Sequence, residues 1–216
     1  MKRIRIDLAI WIIILASLGI GIYLYPDMPE KMASHWNAQG EVDGYMQKGW
    51  ALFLMPGITV LLYLMYLLIP RIDPLKKNIE KFRPYFDWFI LLMIVFLAYI
   101  YSLTIAVNLG YVFNMTTMIL PAIGVLFIYI GFLVQHAKRN WFIGIRTPWT
   151  LSDDRVWEKT HRLGGKLFKV AGVLVFLSVL FDASALWIVL GAALVAGLAP
   201  VVYSYFEYEK QKRQKH

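Results

Sequence analysis

The chain contains no cysteine. That excludes disulfides, thiolate metal sites and a cysteine nucleophile, and it identifies no compartment. Charge is scarce as well. Asp, Glu, Lys and Arg make up 17% of the 216 residues against 59% hydrophobic, a balance too apolar for a soluble domain of this length. Charge is also missing from the middle of the long apolar runs. Asp7, Asp87, His136, Lys169, Asp182 and Glu207 all fall at run ends. Ionisable groups at mid-membrane mark proton relays and ion-coupled transport, so the pattern argues against a proton-coupled pump and leaves a transporter the least favoured class.

What the chain has instead is six apolar runs, 8–25, 50–69, 85–107, 116–136, 167–181 and 185–206. A helix crosses a bilayer core of about 30 Å with about 20 mostly apolar residues, so these predict an all-α, six-span membrane bundle forming a single domain, 1–216. The fifth run is the shortest. The first follows Lys2, Arg3 and Arg5, as a signal peptide would. It is longer than a typical signal core and has no small-x-small site before Pro26, so it reads as a retained span.

The stretches flanking the runs carry 3, 2, 5, 0, 7, 0 and 4 Lys/Arg in chain order, with Lys169 completing the 22. Basic residues favour the cytoplasmic side, which predicts both termini inside. Tyr23, Tyr25, Trp50 and Trp187 then fall at the outer interface, and Trp11, Tyr85, Trp88, Trp141, Tyr203 and Tyr205 at the inner one, the depth amphipathic rings prefer. The formal charge of +8 gathers on one face, so membrane lipid, and not nucleic acid, is its expected partner. Gly191, Ala192, Ala196, Gly197 and Gly172 read as small residues for close helix packing. The links 108–115 and 182–184 read as tight turns. Nothing in the sequence fixes the oligomeric state.

Two connections are long enough to hold function. The outer one, 26–49, reads PDMPEKMASHWNAQGEVDGYMQKG, with Asp43-Gly44 suited to a hairpin turn. Three readings compete for it. It is a compact extracellular cap; or a recognition surface built from His35, Trp36, Asn37, Asp43, Tyr45 and Lys48, with Trp36 and Tyr45 as anchors; or a metal site from His35 with Asp27, Glu41 or Asp43. One His among scattered carboxylates is a poor match to paired-His metal motifs, and no metal is expected.

The inner connection, 137–166, reads AKRNWFIGIRTPWTLSDDRVWEKTHRLGGK. Its second half predicts a short interfacial helix. Thr150 and Asp153 fit a loose capping box, Glu158 precedes Arg162 in the favourable order for an ion pair, and Gly164-Gly165 ends the helix before the fifth span. Val156, Trp157 and Leu163 give it an apolar side for the membrane surface. Arg146, Arg155 and Arg162 suit a phosphate, an acidic partner or lipid headgroups. Asp153, Asp154, Glu158 and His161 are the acid–base candidates, although charges on a short exposed helix are usually just solvated. Lipid anchoring, protein docking and an active site therefore stand as alternatives.

The run from Asn140 to Leu151, with Trp157 and Thr160-His161-Arg162, resembles the signature of the SdpI family of multi-pass membrane proteins. The outer loop, with Pro29, His35-Trp36-Asn37, Gly40, Asp43 and Lys48, is similar to the short domain of unknown function that often precedes that signature. Six spans is the architecture this resemblance implies. It also implies a non-enzymatic role, with no catalytic residue and no cofactor. The family's best-known member protects a toxin-producing bacterium from its own secreted killing peptide and holds a winged-helix autorepressor at the membrane. A secreted peptide outside and a winged-helix repressor inside are the partners so implied. Asn140, Gly144, Arg146, Thr147, Pro148, Trp157 and His161 match the signature and, with Arg155 and Arg162, form the expected docking set. A membrane enzyme or lipid-handling protein is the alternative.

Overall fold

The computed structural model describes residues 2–181 and 185–214. The expected 182–184 turn lies outside them. Six helices are long and apolar enough to cross a membrane: α1 (Lys2–Leu24), α2 (Lys48–Ile72), α4 (Arg83–Asn108), α5 (Met115–His136), α7 (Asp154–Leu177) and α8 (Ala185–Gln214). Two short helices, α3 (Lys76–Lys81) and α6 (Pro148–Ser152), sit in connections, and strands β1 (Lys31–Trp36) and β2 (Val42–Gln47) form an antiparallel hairpin. The fold is therefore a multi-pass helical membrane protein, as its six apolar runs require.

The chain packs as two compact units, Met1–Tyr66 with Ile90–Ala122, and Leu67–Phe89 with Ile123–His216. In the first, a small core gathers Met28, Met32, Ala51, Leu52, Tyr101 and Ile105, with Leu24, Met46, Phe53 and Met55 packed against it. The hairpin is thus seated on the helices by its own methionines. Asn108, the last residue of α4, clasps β1. The Ala33 N–H donates to Asn108 Oδ1 at 2.7 Å and Asn108 Nδ2 donates back to the Ala33 carbonyl at 3.0 Å.

In the second unit α5 and α7 run antiparallel and touch through glycines. A Cβ at Gly131 would stand 2.6 Å from the Gly165 carbonyl oxygen, and one at Gly172 would stand 2.6 Å from that of Gly124. Backbones this close admit no side chain. The seam differs from the expected one. A Cβ at Gly191 or Gly197 on α8 would meet nothing within 4 Å, so of the small residues singled out there only Ala196 is deeply buried.

Three local expectations are corrected. Gly164-Gly165 does not end a helix; α7 runs unbroken from Asp154 to Leu177, because these glycines serve close packing. Gly165 faces α5, and a Cβ at Gly164 would strike Ile145 and approach Pro200. The short helix of this loop is Pro148–Ser152 instead. Its capping box joins Thr147 and Thr150, while Asp153 caps α7 by accepting from the N–H groups of Arg155 and Val156. Finally, Asp43-Gly44 lies within β2, and the hairpin turns at 37–41.

Candidate functional site: the hairpin and the signature loop

The turn is built by Asn37. Its Oδ1 accepts from the N–H groups of Gln39 and Glu41, both at 3.0 Å, and its Nδ2 donates to Glu41 Oε2 at 3.1 Å. Gly40 supplies φ +81°, and a Cβ there would collide with the Asn114 carboxamide, which holds the turn by donating to the Gln39 carbonyl at 2.6 Å. Gly44 stays in the strand because a Cβ there would lie 2.8 Å from His35 Cβ. Across this bulged region, His35 Nδ1 meets Asp43 Oδ1 at 2.5 Å with the His side chain 72% exposed. Trp36 is half-buried and Tyr45 is 64% exposed. Lys48 pairs with Glu30 at 2.8 Å and lies over the Tyr25 ring at 4.8 Å. Of the residues considered for metal binding, Asp43 is the one bonded to His35, and no group of three His, Asp or Glu side chains gathers among the described residues.

An open groove of about 580 Å³ lies at the base of the hairpin, lined by Tyr25, Glu30, Lys31, Gln47, Lys48, Trp50 and Phe53.

The signature loop is organised by buried polar groups. Asn140 has no exposed surface. Its Oδ1 accepts from the N–H groups of Phe142 (2.9 Å) and Ile143 (2.6 Å), and its Nδ2 donates to the carbonyls of Lys138 and Ile143, both at 2.8 Å. Both lone pairs of Oδ1 and both N–H groups of Nδ2 are thus spent on local backbone. His161 is equally buried at 1% exposure. Its Nε2 accepts from the Ile145 N–H at 3.0 Å, so Nδ1 carries the proton and donates to the Trp157 carbonyl at 2.8 Å. That pair of bonds requires the neutral ring. Trp157 stacks on His161 at 3.9 Å and donates from Nε1 to the Ala137 carbonyl at 2.8 Å. Gly144 adopts φ +113°, where a Cβ would strike His161 Nε2.

Thr147 caps α6 and meets Ser204 of α8, Oγ to Oγ at 3.0 Å, with Pro148 at the first helical position. Arg146 donates to the Trp141 carbonyl at 2.5 Å. The expected Glu158–Arg162 pair forms at 2.8 Å on the exposed face. Arg155 is exposed and has no ion-pair partner among the described residues. The nine residues of the docking set thus divide: Asn140, Gly144, Thr147, Trp157 and His161 hold the loop's shape, Pro148 starts α6, and Arg146, Arg155 and Arg162 are exposed.

Several residues that shape this loop carried no clear sequence signal. Buried Asp73 accepts from the N–H groups of Leu75 (2.6 Å) and Trp141 (2.9 Å); the Asp73-Pro74 turn dipeptide was its only trace. Arg139 Nε lies 2.7 Å from Asp154 Oδ1 and its Nη1 donates to the Leu151 carbonyl at 2.8 Å. Glu207, buried on α8, accepts from Lys159 at 2.6 Å, Gln211 at 3.1 Å and Tyr203 at 3.2 Å. A polar cavity of about 200 Å³ is lined by Asn78, Lys81, Gln135, Lys138, Arg139 and Glu158, among others.

Six spanning helices, a small hairpin and a buried Asn–Trp–His loop define a multi-pass cell-membrane protein. Comparison with known proteins places it more closely. Residues 136–204 match the SdpI/YfhL protein family, and residues 12–60 match a domain of unknown function, DUF1648. The chain thus carries an SdpI-family domain preceded by a DUF1648 domain. It is 28% identical over 200 residues to "Immunity protein SdpI" of Bacillus subtilis (strain 168), across 92% of this chain and 94% of that protein. No solved structure matches.

Proposed function

We propose that this protein is a non-enzymatic membrane immunity protein. Its hairpin meets a secreted killing peptide on the outer face, and its signature loop docks a cytoplasmic partner, a winged-helix repressor, on the inner face. The observation carrying the reading is the reach of the similarity to the Bacillus subtilis immunity protein, which takes in 92% of the chain. The alternation of basic flanks supports the threading, with 2 Lys/Arg beside the hairpin and 7 in the signature loop. Arg155 and Arg162, presented on the exposed face, are the docking residues; Asn140, Gly144, Thr147, Trp157 and His161 give the loop its shape.

The test is a gene deletion exposed to a panel of peptide fractions from neighbouring bacteria's culture media. Heightened killing by at least one fraction, reversed by the gene in trans, is the expected result. Unchanged resistance to all of them removes the immunity reading. For docking, a membrane pull-down with Arg155→Ala and Arg162→Ala should lose partners that the unaltered chain recovers.

The polar cavity favours a second reading. Lys81, Lys138 and Arg139 line it beside the carboxylates of Asp154 and Glu158, and the excess of basic over acidic groups is what an anionic lipid headgroup would require. Co-purified anionic lipid that is lost on Lys138→Glu supports lipid handling; an unaltered lipid profile in the deletion strain counts against it.

A further inference from the structure

The two edges of the hairpin are treated differently, and the difference specifies how a peptide would bind. In an antiparallel pair, opposed residues alternate between exchanging hydrogen bonds and turning their N–H and C=O groups away from the partner strand. The Lys48 N–H donates to the Glu30 carbonyl at 3.0 Å, which starts the alternation. The pairs Lys31↔Gln47, Met32↔Met46 and Ala33↔Tyr45 follow one, two and three steps on. The Ala33 groups point away from β2, since both are bonded to Asn108. Tyr45, opposite Ala33, therefore turns its own N–H and C=O to the outer side of β2, and two residues later Gln47 turns its N–H the same way while its carbonyl opens the hydrogen bonding of α2, which begins at Lys48. Among the described residues no hydrogen bond reaches the N–H and C=O of Tyr45 or the N–H of Gln47. Asp43, Tyr45 and Gln47 are all exposed.

Natural proteins close such edges with charge, proline or a covering element. Here Asn108 closes β1. On β2 the one charged side chain, Asp43, is engaged by His35, so no free charge guards it. The strand also leads somewhere. Gln47 is both its last residue and part of the wall of the open groove with Tyr25, Trp50 and Phe53.

We propose that β2 is an acceptor edge. An extended peptide adds as a third strand, pairing its backbone with the N–H and C=O of Tyr45 and the N–H of Gln47, and runs on past Gln47 to place an apolar side chain among the groove's aromatic rings. The proposal rests on the immunity reading and names its mode of recognition. A peptide fits better than a second copy of the hairpin because it satisfies edge and groove together. Recognition through main-chain bonds reads shape and apolarity more than side-chain sequence.

The test uses the full-length protein in cell membranes and, as probe, the reverse-phase peptide fraction that kills the deletion strain. Replacing Tyr45 by its α-hydroxy acid through nonsense suppression exchanges one N–H for an ester oxygen and keeps the phenol. Tyr45→Pro removes the same N–H genetically, at an edge position where proline is tolerated. Tyr45→Phe keeps it. The ester and proline forms should bind the fraction about three- to tenfold more weakly, the worth of one hydrogen bond, while Tyr45→Phe binds as the unaltered chain does. If the proline form does not reach the membrane, the ester form decides. Undiminished binding by the ester form overturns the edge proposal and leaves immunity standing. An unaltered chain that neither binds nor protects overturns the immunity reading and this proposal with it. Disulfide-linked pairs of Gln47→Cys chains formed without the fraction would assign the edge to a second copy, which also overturns it.

Discussion

Asn140 has neither charge nor reactive group, yet four backbone groups of its own loop depend on it. Truncation to alanine leaves those groups buried without partners, at about 1–3 kcal/mol for each one that water cannot reach. Asn140→Ala should therefore cost about 3–5 kcal/mol, read as a lowered unfolding midpoint in detergent. Asn140→Asp should cost a comparable amount, because a carboxylate keeps the acceptor and loses both donors. Gly144 belongs to the same construction. Gly144→Ala forces a side chain into φ +113° and against His161, and the backbone strain alone costs about 1–3 kcal/mol. Pairing it with His161→Ala relieves the collision and leaves the strain. The double variant should then be more stable than the sum of the single losses, a coupling that a double-mutant cycle in the same unfolding assay measures.

At the scale of elements, α5 and α7 are held by absence of side chains. Gly124 and Gly131 face Gly172 and Gly165 in antiparallel order, and each pair is one heptad apart on its helix, so the contacts recur on one face. Gly131→Ala puts a methyl group 2.6 Å from a carbonyl oxygen. Overpacking of this kind typically costs about 1–3 kcal/mol. Gly191→Ala, in open space on α8, should be neutral or stabilise the helix by up to about 1 kcal/mol, and thermal inactivation of the two purified variants distinguishes them. The glycines were visible in the sequence, but their roles were not. The same Gly-Gly dipeptide stops a helix when its backbone is exposed and packs one when a neighbour lies against it, and the neighbour is 34 residues away for Gly165 and Gly131. The hairpin was legible, but the place of its turn was not, for a similar reason. Asp43-Gly44 has turn chemistry, and Asn37 has it too; the choice fell to Asn37 because Asn114 and His35, distant in sequence or across the strand, fix where the chain reverses.

For the whole molecule, apolarity is a property each span carries alone, so all six were readable without any knowledge of their neighbours. The Glu158–Arg162 pair was readable too, being local to one helix turn. Contacts such as Lys159 with Glu207 and Thr147 with Ser204 depend on which helices meet, and no local pattern encodes that. Threading is the remaining global property, and the lack of cysteine makes it directly measurable. Tyr45→Cys and Arg155→Cys each install a single thiol at an exposed position, one on the hairpin and one on the signature loop. The excess of Lys and Arg in the loop should keep it in the cytoplasm, because moving those charges across the bilayer is costly. A membrane-impermeant maleimide should then label the hairpin thiol in intact cells and the loop thiol only after the cells are opened. The reverse pattern would place the hairpin inside, away from any secreted peptide, and would remove the immunity reading together with the acceptor edge.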